Sequence, residues 1–578
     1  MKPFNLEPRR RRPPPALRAW LLMPLLAMHG LWAAAQPLHH GSGFTRADTL
    51  RGSNGPFRAW WHATSYDVAV QPDFASKSIE GKTTIHFRAL QPGQRMQVDL
   101  QQPLEIRSIT ATAAGSEADA HYTREGNVAW VELPQALGAG ATGAITVQYG
   151  GTPREAVNPP WDGGWIWKRT ADGTPWMSVA CQGLGASVWY PCKDFQEDKP
   201  DSAALHILVP DSLVGVGNGR LTGKEHGAGG TTWHWKVRSP ISTYNLVPYI
   251  GPYVHLGGEY AGEAGRLDLD YWVLRGHEDQ ARAQFLQVPG VLHCFEDWFG
   301  PYPFYVDGYK LVEAPHLGME HQSAIAYGNR YLNGYLGADL SGSGWGLKWD
   351  YVIVHETAHE WWGNSITAAD IADMWVHEAF ADYAEALYTE CLFGKAAGED
   401  YVIGLRRNIR NDIPITGSYG VNREGSTDMY YKGANMLHTI RSIMANDSLF
   451  KAMLREMNRR YRHAVVTGAE VEAFISTYSG HDFSLLFQQY LRTVQVPELQ
   501  WAVRRGHLYI RLARCVPGLS MPVRITVNGE ERTVPVGDRW SNPASGLKAR
   551  TATCSADRNW YITVVRVPQA KVRAARPR

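Results

Sequence analysis

The stretch "VIVHETAHEWWGN" (352–364) sets His355 and His359 four residues apart, with Glu356 between them. On a helix, positions i and i+4 share a face, so both imidazoles can reach one cation while Glu356 stands beside it. Two histidines leave a catalytic zinc site one protein ligand short, since such sites use three ligands and an open position. A metzincin arrangement would supply a third histidine at 365 after a glycine at 362, and the chain has Ser365 and Trp362 there. The remaining source is a second, acidic helix. "DMWVHEAFADYAEALYTECLFG" (373–394) carries Val376, Phe380, Tyr383 and Leu387 at helical spacing, stops at Gly394, and lines up Glu378, Asp382 and Glu385. Carboxylates on an otherwise apolar helix are costly to bury unless something positive meets them. One zinc ion per chain resolves that cost, with Glu378 as the expected third ligand. Asp382 and Glu385 are the expected partners that orient the ligand imidazoles. His377 points about 100° away from Glu378 on a helix and is not expected to ligate. Zinc lowers the pKa of bound water to about 7, and Glu356 can take its proton and pass it to a leaving amine. The chemistry expected is hydrolysis of an amide. The plain alternative is a core helix whose histidines are satisfied by their neighbours.

The elements that must hold these helices change texture along the chain. With 578 residues the chain is too long for one core. Short β-branched runs such as "YDVAVQPD", "GKTTIHFRAL" and "AITVQYG" fill the region before Tyr249. Helical patterning begins near His277 and dominates from Leu347 to Leu491. Alternation returns from Leu499, where Asn528-Gly529 marks a two-residue hairpin turn. The expected partition is a β domain at 60–253, a mixed zinc-bearing domain at 254–496 and a small β domain at 497–567. A flexible segment is expected at 36–59 and a basic disordered tail at 568–578.

Residues 1–35 combine a basic leader, the apolar run "ALRAWLLMPLLAMHGLW" and small residues at Ala33–Ala35, the order of a cleaved secretory signal. The chain is therefore expected to be exported, periplasmic or secreted. A membrane anchor by an uncleaved signal is the alternative; Pro24, His29 and Gly30 interrupt the run. The leader carries five of the excess positive charges, so the rest of the chain is at −3 where the whole is at +2. That balance asks for no nucleic acid, and no stable membrane insertion is expected after cleavage. Six cysteines are too sparse to form a scaffold. Cys515 and Cys554 share one β-rich segment and are the expected disulfide pair. The 22 tryptophans are compatible with large aromatic surfaces and name no function.

The spacing H-E-x-x-H-x18-E, closed by Glu378, resembles the aminopeptidase N and leukotriene hydrolase family of zinc peptidases, the gluzincin aminopeptidases. Upstream, "APHLGMEHQSAIAYG" (314–328) is similar to the family's exopeptidase motif, and downstream "DMYYKGANML" (428–437) to its Y-x-K-G segment. The resemblance runs from about residue 60 to 491. It implies that Glu320 binds the free α-ammonium of a peptide substrate, and that Gly318 and Met319 pair with its backbone. It implies that Tyr430 donates to the oxyanion and that Gln182, in "ACQGLGASVWYPCKD", adds a polar group to the amine pocket. The implied activity is removal of the N-terminal residue from peptides with a free N-terminus. The implied architecture is a multidomain α+β fold with an N-terminal β-saddle domain and a thermolysin-like catalytic domain, closed here by a C-terminal β-sandwich domain. Leu317, His321, His377 and Ala379 depart from the commoner motif residues, and strands follow Val496 where many members carry a large helical domain. Epoxide hydrolysis, endopeptidase activity and an inactive binding scaffold on the same fold are the competing readings.

Overall fold

Alternating apolar residues place the strand Trp61–Asp73 within an eight-stranded sheet, flanked by Ser78–Ala89 on one side and Ser202–Val209 on the other. It buries Trp61 and Ala63, then Tyr66, Val68 and Val70. The change of parity is taken up by an irregularity between Ala63 and Ser65, so the apolar face keeps pointing inward. The pairing with Ser78–Ala89 is antiparallel and that with Ser202–Val209 parallel. Smaller sheets of three and four strands complete the β-rich N-terminal region. The computed structural model describes residues 43–113 and 115–572, and the expected leader lies outside them. All the described residues belong to one compact unit.

The hairpin Tyr253–Gly262 and Gly265–Leu274 opens a second, five-stranded sheet, continued by Tyr309–Glu313, Ile325–Tyr327 and, at its edge, Gly318–Met319. This last strand pairs on one side only, through Gly318 opposite Tyr327 and Met319 opposite Ala326. An edge of this kind can accept an extended peptide on its open side. Val312, Ala314, Met319 and Ala326 pack into the same apolar core as the N-terminal strands, which seats the edge strand against that region. Helices follow, among them Val288–Phe299, Tyr351–Ala358, Trp375–Phe393 and Tyr431–Met444.

After residue 497 the chain forms a four-stranded and a three-stranded sheet. Asn528 and Gly529 both take positive φ, 52° and 89°, joining strands Ser520–Val527 and Glu530–Gly537 as the asparagine–glycine pair predicts. Leu499, Ile510, Val523 and Ile525 share one core with the helices, so these strands brace the helical region.

Three expectations are corrected. Cys515 and Cys554 are free thiols; the disulfide is Cys294–Cys391, with a Cα separation of 6.2 Å. It ties helix Val288–Phe299 to helix Trp375–Phe393 across 97 residues of sequence, a pairing that helix packing creates and sequence proximity does not suggest. The segment 36–59, expected to be flexible, forms the helices Arg46–Gly52 and Pro56–Ala59 in its described part. Thr45 and Asp48 build a capping box on the first, and fully buried Arg58 pairs with Asp99 at 2.6 Å. The tail is ordered through Val572, which is buried and accepts from Arg504. Among the described residues no helix is long and apolar enough to cross a membrane.

Candidate metal centre and amine pocket

Asp350 starts the first site helix by accepting from the Val352 and Ile353 amides. Its carboxylate is in turn held by Tyr327, Asn329 and Gln284. With that end fixed, His355 and His359 present Nε2 atoms 3.2 Å apart. Helix Trp375–Phe393 brings Glu378 Oε2 to 3.3 Å from His359 Nε2 and 3.7 Å from His355 Nε2. Donors about 2.0–2.2 Å from a tetrahedral zinc stand about 3.3–3.6 Å from one another. The three separations lie within about 0.1 Å of that range. Glu378 Oε2 is buried and has no hydrogen-bond partner, which a cation would supply. Two neutral imidazoles and one carboxylate are a donor set that suits zinc.

The far sides of both imidazoles are anchored. His355 Nδ1 lies 2.7 Å from Glu385 Oε1, and Tyr401 donates to the other oxygen of Glu385 at 2.6 Å. His359 Nδ1 donates to the Trp362 carbonyl at 2.8 Å, a partner not apparent from the sequence. These bonds leave each Nε2 lone pair directed at Glu378. Asp382 departs from its expected part: both of its buried oxygens lack a hydrogen bond, so neither holds a ligand ring. Burial first, then the Glu385 charge, pushes its carboxyl well above the ordinary range. His377 accepts from the Ala368 amide through Nε2 at 2.8 Å and stays outside the cluster. Glu378→Ala is expected to leave a folded protein that no longer retains stoichiometric divalent metal after dialysis, read by elemental analysis beside circular dichroism.

Glu356 is nearly buried, and a Cβ built on Gly318 would come within 2.6 Å of its Oε1. The base candidate and the edge strand are thus in contact. Burial raises the Glu356 pKa to about 7 against the pull of the two histidines. A divalent cation at the site would draw it down again.

Two residues along the same edge, Glu320 is buried and accepts from Gln182 Nε2 at 2.6 Å and from the Tyr244 hydroxyl at 2.9 Å. Gln182, singled out by the sequence resemblance, thus contacts Glu320, while Tyr244 carries no motif that would reveal it. Asn364 donates to the Glu320 carbonyl at 2.7 Å and is held by Asn245. Buried Lys199 donates to the Asn364 and Ser365 carbonyls and sits 2.9 Å from Thr367 Oγ1. It pins the loop after the histidine helix. Glu424, also missed in the sequence, lies within electrostatic reach of the two carboxylates: burial first, then Glu378 and Glu320, pushes its carboxyl up to about 8.

Tyr430 ends the turn before helix Tyr431–Met444, its ring 6.2 Å from the His355 ring and inclined by 26°. Burial, then the Glu378 charge, raises its phenol well above the usual value, so it remains a donor. Tyr431 senses Asp382 and Glu385 instead.

The family described as "Peptidase M1 N-terminal domain" matches residues 62–245, and that described as "Peptidase family M1 domain" matches residues 285–490. Leukotriene A-4 hydrolase of Xenopus laevis is 20% identical over 461 residues, 75% of this chain and 71% of that protein. Aminopeptidase B of Homo sapiens is 26% identical over 425 residues, 67% of this chain and 58% of that protein. Endoplasmic reticulum aminopeptidase 1 of Mus musculus is 20% identical over 550 residues, 87% and 58% respectively. The chain thus spans little more than half the length of these two aminopeptidases. The M1 zinc metallopeptidase from Deinococcus radiodurans has a similar fold, with a TM-score of 0.64, 22% identity, and coverage of 77% of this chain and 96% of that one.

Proposed function

The chain belongs to peptidase family M1, a family of zinc-dependent peptide-bond hydrolases, and from that premise we propose that it is an exported aminopeptidase that removes the first residue of peptides. The observation that carries this reading is the set of contacts around Glu320. A buried carboxylate, Glu320, sits at the end of the edge strand with Gln182 and Tyr244 on one of its oxygens. A substrate ammonium placed there offers Glu320 the positive partner that its burial demands. An internal stretch of peptide has no such charge to offer, which favours exopeptidase over endopeptidase chemistry.

His355, His359 and Glu378 would hold the zinc, which when bound supplies a Lewis acid and a water of lowered pKa. Gly318 and Met319 pair with the extended substrate backbone and set its first carbonyl beside Glu356. Glu356 accepts the proton of the attacking water and returns it to the departing amine. Tyr430 donates its phenolic proton in a hydrogen bond to the carbonyl oxygen as negative charge grows there. Glu385 and the Trp362 carbonyl keep both histidines in one tautomer throughout. Export is supported by the leader sequence and by the Cys294–Cys391 disulfide, which suits an oxidising compartment.

The test is a panel of aminoacyl anilides beside their N-acetylated forms, with and without chelator. Turnover of free amines alone, lost on chelation, is the expected result; equal turnover of the acetylated compounds would overturn the exopeptidase reading. Within the same panel, Glu320→Gln is expected to raise KM for free amines by at least about tenfold, since a charge-assisted bond is lost.

A further inference from the structure

Building on the aminopeptidase reading, we propose that the cavity beyond Leu317 receives the part of the substrate that follows the scissile bond, and that Lys168, Arg275 and Arg330 bind a carboxylate there.

Direction is fixed by three points on one short segment. Glu320 takes the substrate amine, Gly318 touches the general base Glu356, and Pro315, His316 and Leu317 line a cavity of about 1220 Å³. A peptide held at Glu320, with its first carbonyl opposite Gly318, must run antiparallel to this segment. Its second and later residues therefore pass Leu317 and His316 and enter that space. The volume exceeds the roughly 300–1,000 Å³ of ordinary small-ligand sites, and so has room for several residues.

The walls are prepared for a peptide ending in negative charge. His316 is 6% exposed, and neither of its ring nitrogens makes a hydrogen bond. Burial takes its pKa down to about 4, against a weaker pull from the Gly318 backbone, so the ring is neutral, with one donor and one acceptor. Among the lining residues, Lys168, Arg275 and Arg330 are exposed and make no ion pair among the described residues. The acidic residues of the same cavity are already engaged. Glu313 accepts from the Leu274 amide and the Tyr331 hydroxyl and meets His277 Nδ1 at 2.7 Å; Asp172 accepts from Thr170 and Thr174 within its own turn. Arg169, the remaining cation, donates to the Gly173 carbonyl and lies over the Phe74 ring. The four cationic side chains of the lining, Lys168, Arg169, Arg275 and Arg330, outnumber its two carboxylates. Arg330 and Tyr331 both hold left-handed backbone, φ 56° and 57°, a conformation that non-glycine residues rarely adopt.

A carboxylate can come from the free C-terminus of a short peptide or from an acidic side chain. The test compares Ala-Ala-Ala with Ala-Ala-Ala-amide, and Ala-Ala-Asp-amide with Ala-Ala-Asn-amide, using alanine p-nitroanilide as a substrate whose leaving group carries no carboxylate. The free acid is expected to exceed its amide in kcat/KM by at least about tenfold. In a triple variant K168A/R275A/R330A that preference falls to near unity while anilide turnover is unchanged. A preference for the Asp peptide over the Asn peptide assigns the side chain as a second source; equality there restricts the site to C-termini. Equal rates for acid and amide in the unaltered enzyme, or a preference that survives the triple variant, would overturn the proposal. Absent anilide turnover counts against the aminopeptidase reading alone. The cavity is then decided by titrating tryptophan fluorescence, since Trp161 and Trp176 line it, with N-acetyl-Ala-Ala-Ala as acid and as amide. Tighter binding of the acid supports the carboxylate site, and equal binding sinks it.

Discussion

Glu356→Gln is expected to lower kcat by about 10²- to 10⁴-fold, the usual contribution of a positioned general base. The exchange keeps the side chain's shape and removes its ability to accept the proton. No contact that holds a ligand uses that carboxylate: the ligand rings are held by Glu385 and the Trp362 carbonyl, and Glu378 faces the two Nε2 atoms from another helix. Metal content and thermal unfolding should therefore match those of the unaltered protein. Steady-state kinetics on an alanine anilide, with elemental analysis of the same preparation, makes the comparison. A variant that loses its metal would mean that Glu356 helps to build the site; a kcat within tenfold of the original would remove it from the role of base.

Tyr430→Phe is expected to cost about 10²- to 10³-fold in kcat with little change in KM. The phenol contributes only when charge develops on the carbonyl oxygen, so its loss falls on the transition state and not on substrate binding. Its position over the site comes from the turn that begins helix Tyr431–Met444, with the ring near the His355 ring. Tyr431→Phe is the control. That neighbour responds to Asp382 and Glu385, behind the metal ligands, and its variant should keep kcat within a few-fold. A larger loss in Tyr431→Phe than in Tyr430→Phe would exchange the two assignments.

The features legible in the chain alone follow from local geometry. A helix repeats every 3.6 residues, so the step from His355 to His359 places two imidazoles on one face, and the acidic stripe Glu378, Asp382, Glu385 shares a second helix. The asparagine–glycine hairpin at 528–529 is legible for the same reason, since its backbone preference belongs to two adjacent residues. Motif resemblance singles out Gln182 and Glu320, but their 2.6 Å contact spans 138 residues of chain.

The remainder is decided by packing. Of two carboxylates a helical turn apart, Glu385 meets a ligand imidazole and Asp382 meets none, a difference set by a shift of one side chain across a helix face. Cys294 pairs with Cys391 because two helices bring their Cα atoms within 6.2 Å, while a shared β-rich segment of sequence points to Cys515 and Cys554. Tyr244, Asn364 and the cavity beside His316 carry no sequence signature at all. Spacing along a chain encodes which side chains share a face of one element; which faces meet depends on how apolar surfaces from distant segments bury one another, and that sum is made only in three dimensions.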